Sequence, residues 1–117
     1  MVALPPHIAP VSPKQNQWRD HLIQMEKHFS PDQALIAWST FGRHFPGDAL
    51  GWAAQGNALA NQSDWSGAAD RYGRALEIAP NHSRIAKTGA EIFERAGLTQ
   101  QEQCARQVVA QAATWPC

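Results

Sequence analysis

A chain of 117 residues, 44% hydrophobic and 17% charged, can bury one modest core. Ten basic side chains balanced by ten acidic ones leave no electrostatic footprint for nucleic acid or an anionic membrane, both of which reward a basic excess. No apolar run approaches the roughly 20 residues that cross a bilayer, and Met1-Val2-Ala3-Leu4-Pro5-Pro6 lacks the basic start and apolar stretch of a signal peptide. The expectation is a soluble domain, entire or cut from a longer protein, with no nucleic-acid or membrane partner.

Pro5, Pro6, Pro10 and Pro13 fix φ, remove amide donors and push their neighbours toward extended conformations, so residues 1–14 read as a proline-rich linker. Pro10-Val11-Ser12-Pro13 spells a polyproline-type pattern, but such matches are common by chance.

From Gln15 the apolar spacing becomes helical: Trp18, Leu22, Met25 and Phe29 share one face, and the helix should end near Phe29. Ser30-Pro31-Asp32-Gln33 supplies an N-cap oxygen, a proline at the first helical position and a capping-box glutamine for a second helix carrying Ala34, Leu35, Trp38 and Phe41. Phe45-Pro46-Gly47-Asp48 breaks that helix. A third follows with Trp52, Gly56 and Leu59, and Asp64 caps a fourth carrying Ala68, Tyr72, Ala75 and Leu76, closed by Pro80. A last pair spans about His82 to Arg95 and Thr99 to Ala113, with Gly97 placed for a C-cap and Thr99-Gln100-Gln101-Glu102 spelling another capping box.

Trp18, Ala34, Trp38 and Pro46 recur 34 residues later as Trp52, Ala68, Tyr72 and Pro80. A period of this length marks stacked two-helix units, none of which can bury its apolar face alone. The fold class is therefore all-α, with six helices in three hairpins (about 15–48, 49–82 and 83–116), and a binding scaffold is expected rather than an enzyme.

The unit from Ala49 to His82 resembles the tetratricopeptide repeat, with Trp52, Gly56, Leu59, Ala68, Tyr72, Ala75 and Pro80 at the family's signature positions. The first unit keeps Trp18, Ala34 and Pro46 but has Leu22 where the family prefers glycine and Phe41 where it prefers alanine, so its hairpin should splay. In the third, Ala86 and Ala90 replace the tryptophan and glycine, as suits a terminal repeat that caps the stack. The resemblance implies a right-handed superhelix whose first helices line a concave groove for a protein partner, either a peptide segment or a helix. The groove positions are then Arg19, Ile23, Asn57, Asn61, Lys87 and Glu91. In the subclass that clamps a C-terminal carboxylate, Arg19, Asn57 and Lys87 occupy matching positions, whereas Ile23 and Glu91 depart from the pattern. The plainer reading makes these ordinary solvated side chains, with Lys87 paired to Glu91 one turn on. Alanine at Arg19, Asn57 and Lys87 is accordingly expected to leave folding intact.

A second resemblance concerns context. The proline-rich lead Leu4-Pro5-Pro6-His7-Ile8-Ala9-Pro10, followed by repeats containing Phe45-Pro46-Gly47-Asp48 and Gly56-Asn57-Ala58-Leu59, is similar to the helical tail behind a papain-like, bacteriocin-processing type cysteine peptidase domain in some bacterial envelope proteins. The peptidase domain is absent from this chain. The likeness implies docking to a partner or to that domain, at the cell envelope; otherwise the cytoplasm or a bacterial periplasm remains open.

Of five tryptophans, Trp18, Trp38 and Trp52 sit where the repeat needs core, and Trp65 sits at a hairpin turn where an aromatic packs against the next unit. Trp115 either folds back over the last helix or stands exposed as a self-association patch, so a monomer or a weak homodimer is expected. His7, His21, His28, His44 and His82 form no ligand spacing, and neither metal nor cofactor is expected. Cys104 falls on the face of Ala105 and Val108, where a small buried thiol is usual. A bridge to Cys117 would bring the tail after Ala113 back along about two and a half turns, which four residues just span; unbridged thiols are the expectation.

Overall fold

The computed structural model describes residues 13–111 and 113–117, so the proline-rich lead lies outside the described residues except for its last two positions. Among the described residues there are six α-helices and no strand: α1 (Pro13–Met25), α2 (Pro31–His44), α3 (Ala49–Asn61), α4 (Trp65–Ile78), α5 (Ser83–Arg95) and α6 (Thr99–Val109). A 3-10 turn, Glu26–His28, prolongs α1 as far as Phe29. The first helix starts at Pro13, before the expected Gln15, because a proline at the first helical position gives up an amide that would have no partner anyway.

Local chemistry explains most boundaries. The capping box at α2 is complete: the Gln33 amide donates to Ser30 Oγ at 3.2 Å, and the Ser30 amide donates to Gln33 Oε1 at 3.0 Å. Asp64 Oδ1 accepts from the Gly67 amide at 2.9 Å to open α4. Two caps went unrecognised in the sequence, Asp48 for α3 and His82, whose Nδ1 accepts from the Ile85 amide at 3.2 Å, for α5. At the end of α5 Gly97 adopts φ +76°, its amide bonding to the Glu94 carbonyl at 3.0 Å while the Leu98 amide reaches back to Phe93 at 2.8 Å.

That closure overturns the expected capping box at Thr99. The chain re-enters a helix directly after Leu98, which takes the N-cap place without a side-chain hydrogen bond, and Thr99 is already helical. Glu102, freed from capping, accepts from Arg106 Nε at 2.9 Å. The last helix also ends earlier than expected, at Val109 instead of Ala113.

Each helix packs on the next in an elongated body of 53 × 32 × 18 Å. One apolar cluster joins α3 to α6 through residues such as Tyr72, Leu76, Phe93 and Val108; a second joins α1 to α3 through Leu22, Trp38, Phe41 and Ala58. Helices α3 and α4 approach most closely at Gly56, where an added Cβ would lie 2.6 Å from the Tyr72 ring and 3.2 Å from the Ala68 carbonyl. Fully buried Phe41, bulky where the repeat pattern has alanine, is accommodated by Gly51 on α3, whose Cβ would stand 3.0 Å from its ring. By contrast α1 touches α2 with few close backbone approaches, mainly through Leu22 and the edge of Trp18 against Phe41 at 5.5 Å. Trp38 is a core residue as expected, while Trp18 and Trp52 are half-buried at the cluster margins.

The C-terminus departs furthest from expectation. Cys104 and Cys117 form a disulfide. Because α6 stops at Val109, the chain can return to Cys104, and Gln111 turns at φ +62°. The Trp115 amide donates to the Pro80 carbonyl at 3.2 Å, and its ring stacks on Phe93 at 5.4 Å with planes 9° apart. Trp115 thus folds back on α5 and is half-buried. No helix among the described residues is long and apolar enough to cross a membrane.

Candidate functional site in the groove between the first helices

Along α5, Thr88, Glu91, Ile92 and Arg95 lie at spacings of three and four and share one face. On α3, Asn57 and Asn61 do the same one turn apart, and at the end of α1 Ile23 is followed by the 3-10 turn that carries Glu26 and Lys27. These faces, with Phe29 and Trp65, enclose an open groove of about 710 Å³. Four of the six residues named from the sequence, Ile23, Asn57, Asn61 and Glu91, therefore come together.

Arg19 and Lys87 do not. Arg19 turns away toward the start of α3, where Nη1 donates to Asp48 Oδ2 at 2.5 Å and Nη2 to Asn16 Oδ1 at 2.9 Å. Lys87 is exposed and stands outside the groove lining, and no ion pair joins it to Glu91 among the described residues. The carboxylate clamp accordingly loses both of its cations. On α1 the tie to Asp48 commits Arg19, and on α5 the groove is lined by Thr88, Glu91, Ile92 and Arg95, with Lys87 at the solvent edge of that face.

Asn57 lines the groove, its amide oxygen held by one hydrogen bond. The Tyr72 hydroxyl, rising from α4 beneath it, donates to Asn57 Oδ1 at 2.6 Å, which leaves the amide N–H donors without a partner among the described residues. Tyr72 is buried, and that desolvation pushes its phenol pKa up to about 12, with the Glu26 and Glu91 carboxylates adding in the same sense. Neither carboxylate has an ion-pair partner among the described residues. At one end of the groove the Arg95 guanidinium lies 5.0 Å over the Trp65 ring, so the turn aromatic of the second hairpin does meet the third.

The sequence reading missed Glu26, Thr88, Trp65 and Arg95 as groove residues. Helical spacing from Ile23 and from Glu91 would have found three of them. The fourth, Trp65, needed the α4–α5 contact. Elsewhere, Cys104 presents no thiol because its sulfur is in the disulfide. No group of three histidine, cysteine, aspartate or glutamate side chains converges to hold a metal among the described residues.

No known protein family matches the chain by comparison of sequence profiles, and no curated protein matches it either.

Proposed function

We propose that this chain is a tetratricopeptide-like, non-catalytic scaffold that binds a protein segment in the groove between α1, α3 and α5. The observation that carries the reading is Asn57, whose amide oxygen is held by Tyr72 while its side chain lines an open groove. An amide oriented in this way recognises a backbone carbonyl without first paying rotamer entropy. Ile23, Phe29 and Ile92 offer apolar contacts around it. With Arg19 and Lys87 elsewhere, and with Glu26 and Glu91 balanced in the lining by Lys27 and Arg95, a neutral or mixed-charge segment held through its backbone fits better than a free carboxylate terminus.

The Cys104–Cys117 disulfide supports an oxidising compartment over the reducing cytoplasm, the other location left open by the sequence.

Selection from random linear peptides displayed on phage tests the groove. Ile23, Asn61 and Glu91 are exposed, so the triple alanine variant should fold normally, whereas Asn57 is left intact because the buried Tyr72 hydroxyl depends on it. Selected peptides are expected to bind the variant at least about tenfold more weakly. Equal binding to both proteins, or no enrichment, would overturn the reading.

A further inference from the structure

Successive helical residues turn by about 100°, so Gln55 points away from Asn57 on α3, and on that side lies a second cavity of about 370 Å³ between α2, α3 and α4. Its existence and chemistry are independent of the groove. Gln55 is a polar side chain only 3% exposed on a helix whose other buried residues are apolar or glycine. Its Nε2 donates to the Trp38 carbonyl at 3.3 Å, and its Oε1 accepts from Arg71 Nε at 3.0 Å. Gly42 on α2 leaves room for this arrangement, since a Cβ there would stand 2.6 Å from Gln55 Nε2 and the amide would have to shift. Arg71 Nη1 is fixed from the other side by Asp70 Oδ2 at 2.7 Å. Three helices thus contribute to immobilising one guanidinium, while both Nη2 hydrogens remain without a partner among the described residues.

Arg43 lines the same cavity, its Nη2 meeting only the Thr40 hydroxyl at 3.3 Å. Trp52 forms a wall, its position set by an indole N–H donated to the Pro46 carbonyl at 2.8 Å, and the Arg74 guanidinium lies 5.2 Å over the Trp52 ring. Against Arg43, Arg71 and Arg74 the only paired carboxylate among the described residues is Asp70, shared by Arg71 and Arg74. Among the described residues the cavity therefore carries an excess of positive charge, with the Nη2 donors of Arg71 held in a fixed orientation, and carboxylate and phosphate oxygens accept charge-assisted hydrogen bonds from such donors.

We propose that this cavity binds a small oxyanion, a carboxylate or a phosphate, between Arg71 Nη2 and Arg43, with Trp52 as its wall. The test is a nuclear magnetic resonance titration of the whole chain at constant ionic strength, following the Arg71 Nε–H and Trp52 indole N–H. Inorganic phosphate, glutarate and chloride serve as separate probes. Saturable shifts with phosphate alone assign a phosphate site, with glutarate alone a carboxylate site, and with both a general oxyanion site. Because Arg71→Ala would strand buried Gln55, the variant is the exposed Arg43→Gln, which should weaken binding about tenfold without altering the fold. The proposal is overturned if neither anion saturates beyond the chloride response, or if Arg43→Gln binds as the wild type does.

Discussion

Arg19 and Asp48 join α1 to α3 across the intervening α2. Arg19 Nη1 and Gln15 Nε2 both donate to Asp48 Oδ2, at 2.5 and 2.9 Å, while Oδ1 of the same buried carboxylate accepts the Leu50 and Gly51 amides that open α3. A single carboxylate is thus both a helix cap and the anchor of the loosely packed first helix. Arg19, expected to be a dispensable groove residue, is structural.

Asp48→Ala should therefore cost about 2–4 kcal/mol, adding a lost cap to a lost charge-assisted pair. Asp48→Asn, which keeps an acceptor for the cap, should cost less, and Arg19→Ala about 1–2 kcal/mol. Urea unfolding of the three variants gives the order. Arg19→Ala with wild-type stability would show that the tie contributes nothing.

Two helical glycines should respond in opposite directions to alanine. At Gly56 the new Cβ meets the Tyr72 ring at 2.6 Å and should destabilise by about 1–3 kcal/mol despite alanine's better helix propensity. At Gly73 nothing lies within 4 Å, and the same change should stabilise by about 0.4–1 kcal/mol. Thermal midpoints compare the pair directly, and matching shifts would refute the close approach of α3 and α4.

Tyr72 is the chain's single tyrosine, so tyrosinate absorbance reports it alone. Its phenol pKa is raised from 10.0 to about 12 in the folded state, mainly by burial. The unfolded chain then loses this proton first as pH rises, so stability present below pH 10.0 should fall toward pH 12 by about 2–3 kcal/mol. Tyr72→Phe should flatten that segment of the stability curve. A phenol titrating near 10.0 in the native protein would contradict the burial of the hydroxyl.

Thiol titration in denaturant without reductant should find no free cysteine, because both are bridged. Replacing Cys117 by serine should lower stability by about 3 kcal/mol for a closed loop of this length. It should also weaken the near-ultraviolet circular dichroism that arises from Trp115 stacked on Phe93. Unchanged dichroism would mean that the stack holds without the bridge.

The all-α class and the starts of α2 and α4 were legible because they rest on local chemistry: the periodic apolar faces, Ser30 with Gln33, and the acid at Asp64 each act within about one turn. Gly97 announced the end of α5 for the same reason, since only its φ had to be right. Ile23, Asn57, Asn61 and Glu91, named through the resemblance to a helical repeat, do line one groove, because they repeat at matching places on successive helices. What the sequence could not settle were matters of competition between distant groups. Arg19 had a choice between solvent in the groove and the Asp48 carboxylate, and only the packing of α1 beside α3 brings that carboxylate within reach. Trp115 and Cys117 belong to a tail with no periodicity, whose path depends on where α6 stops and on the apolar seat that Phe93 offers. Helix formation is decided by neighbours along the chain, whereas these pairings depend on surfaces that exist only once the helices have packed.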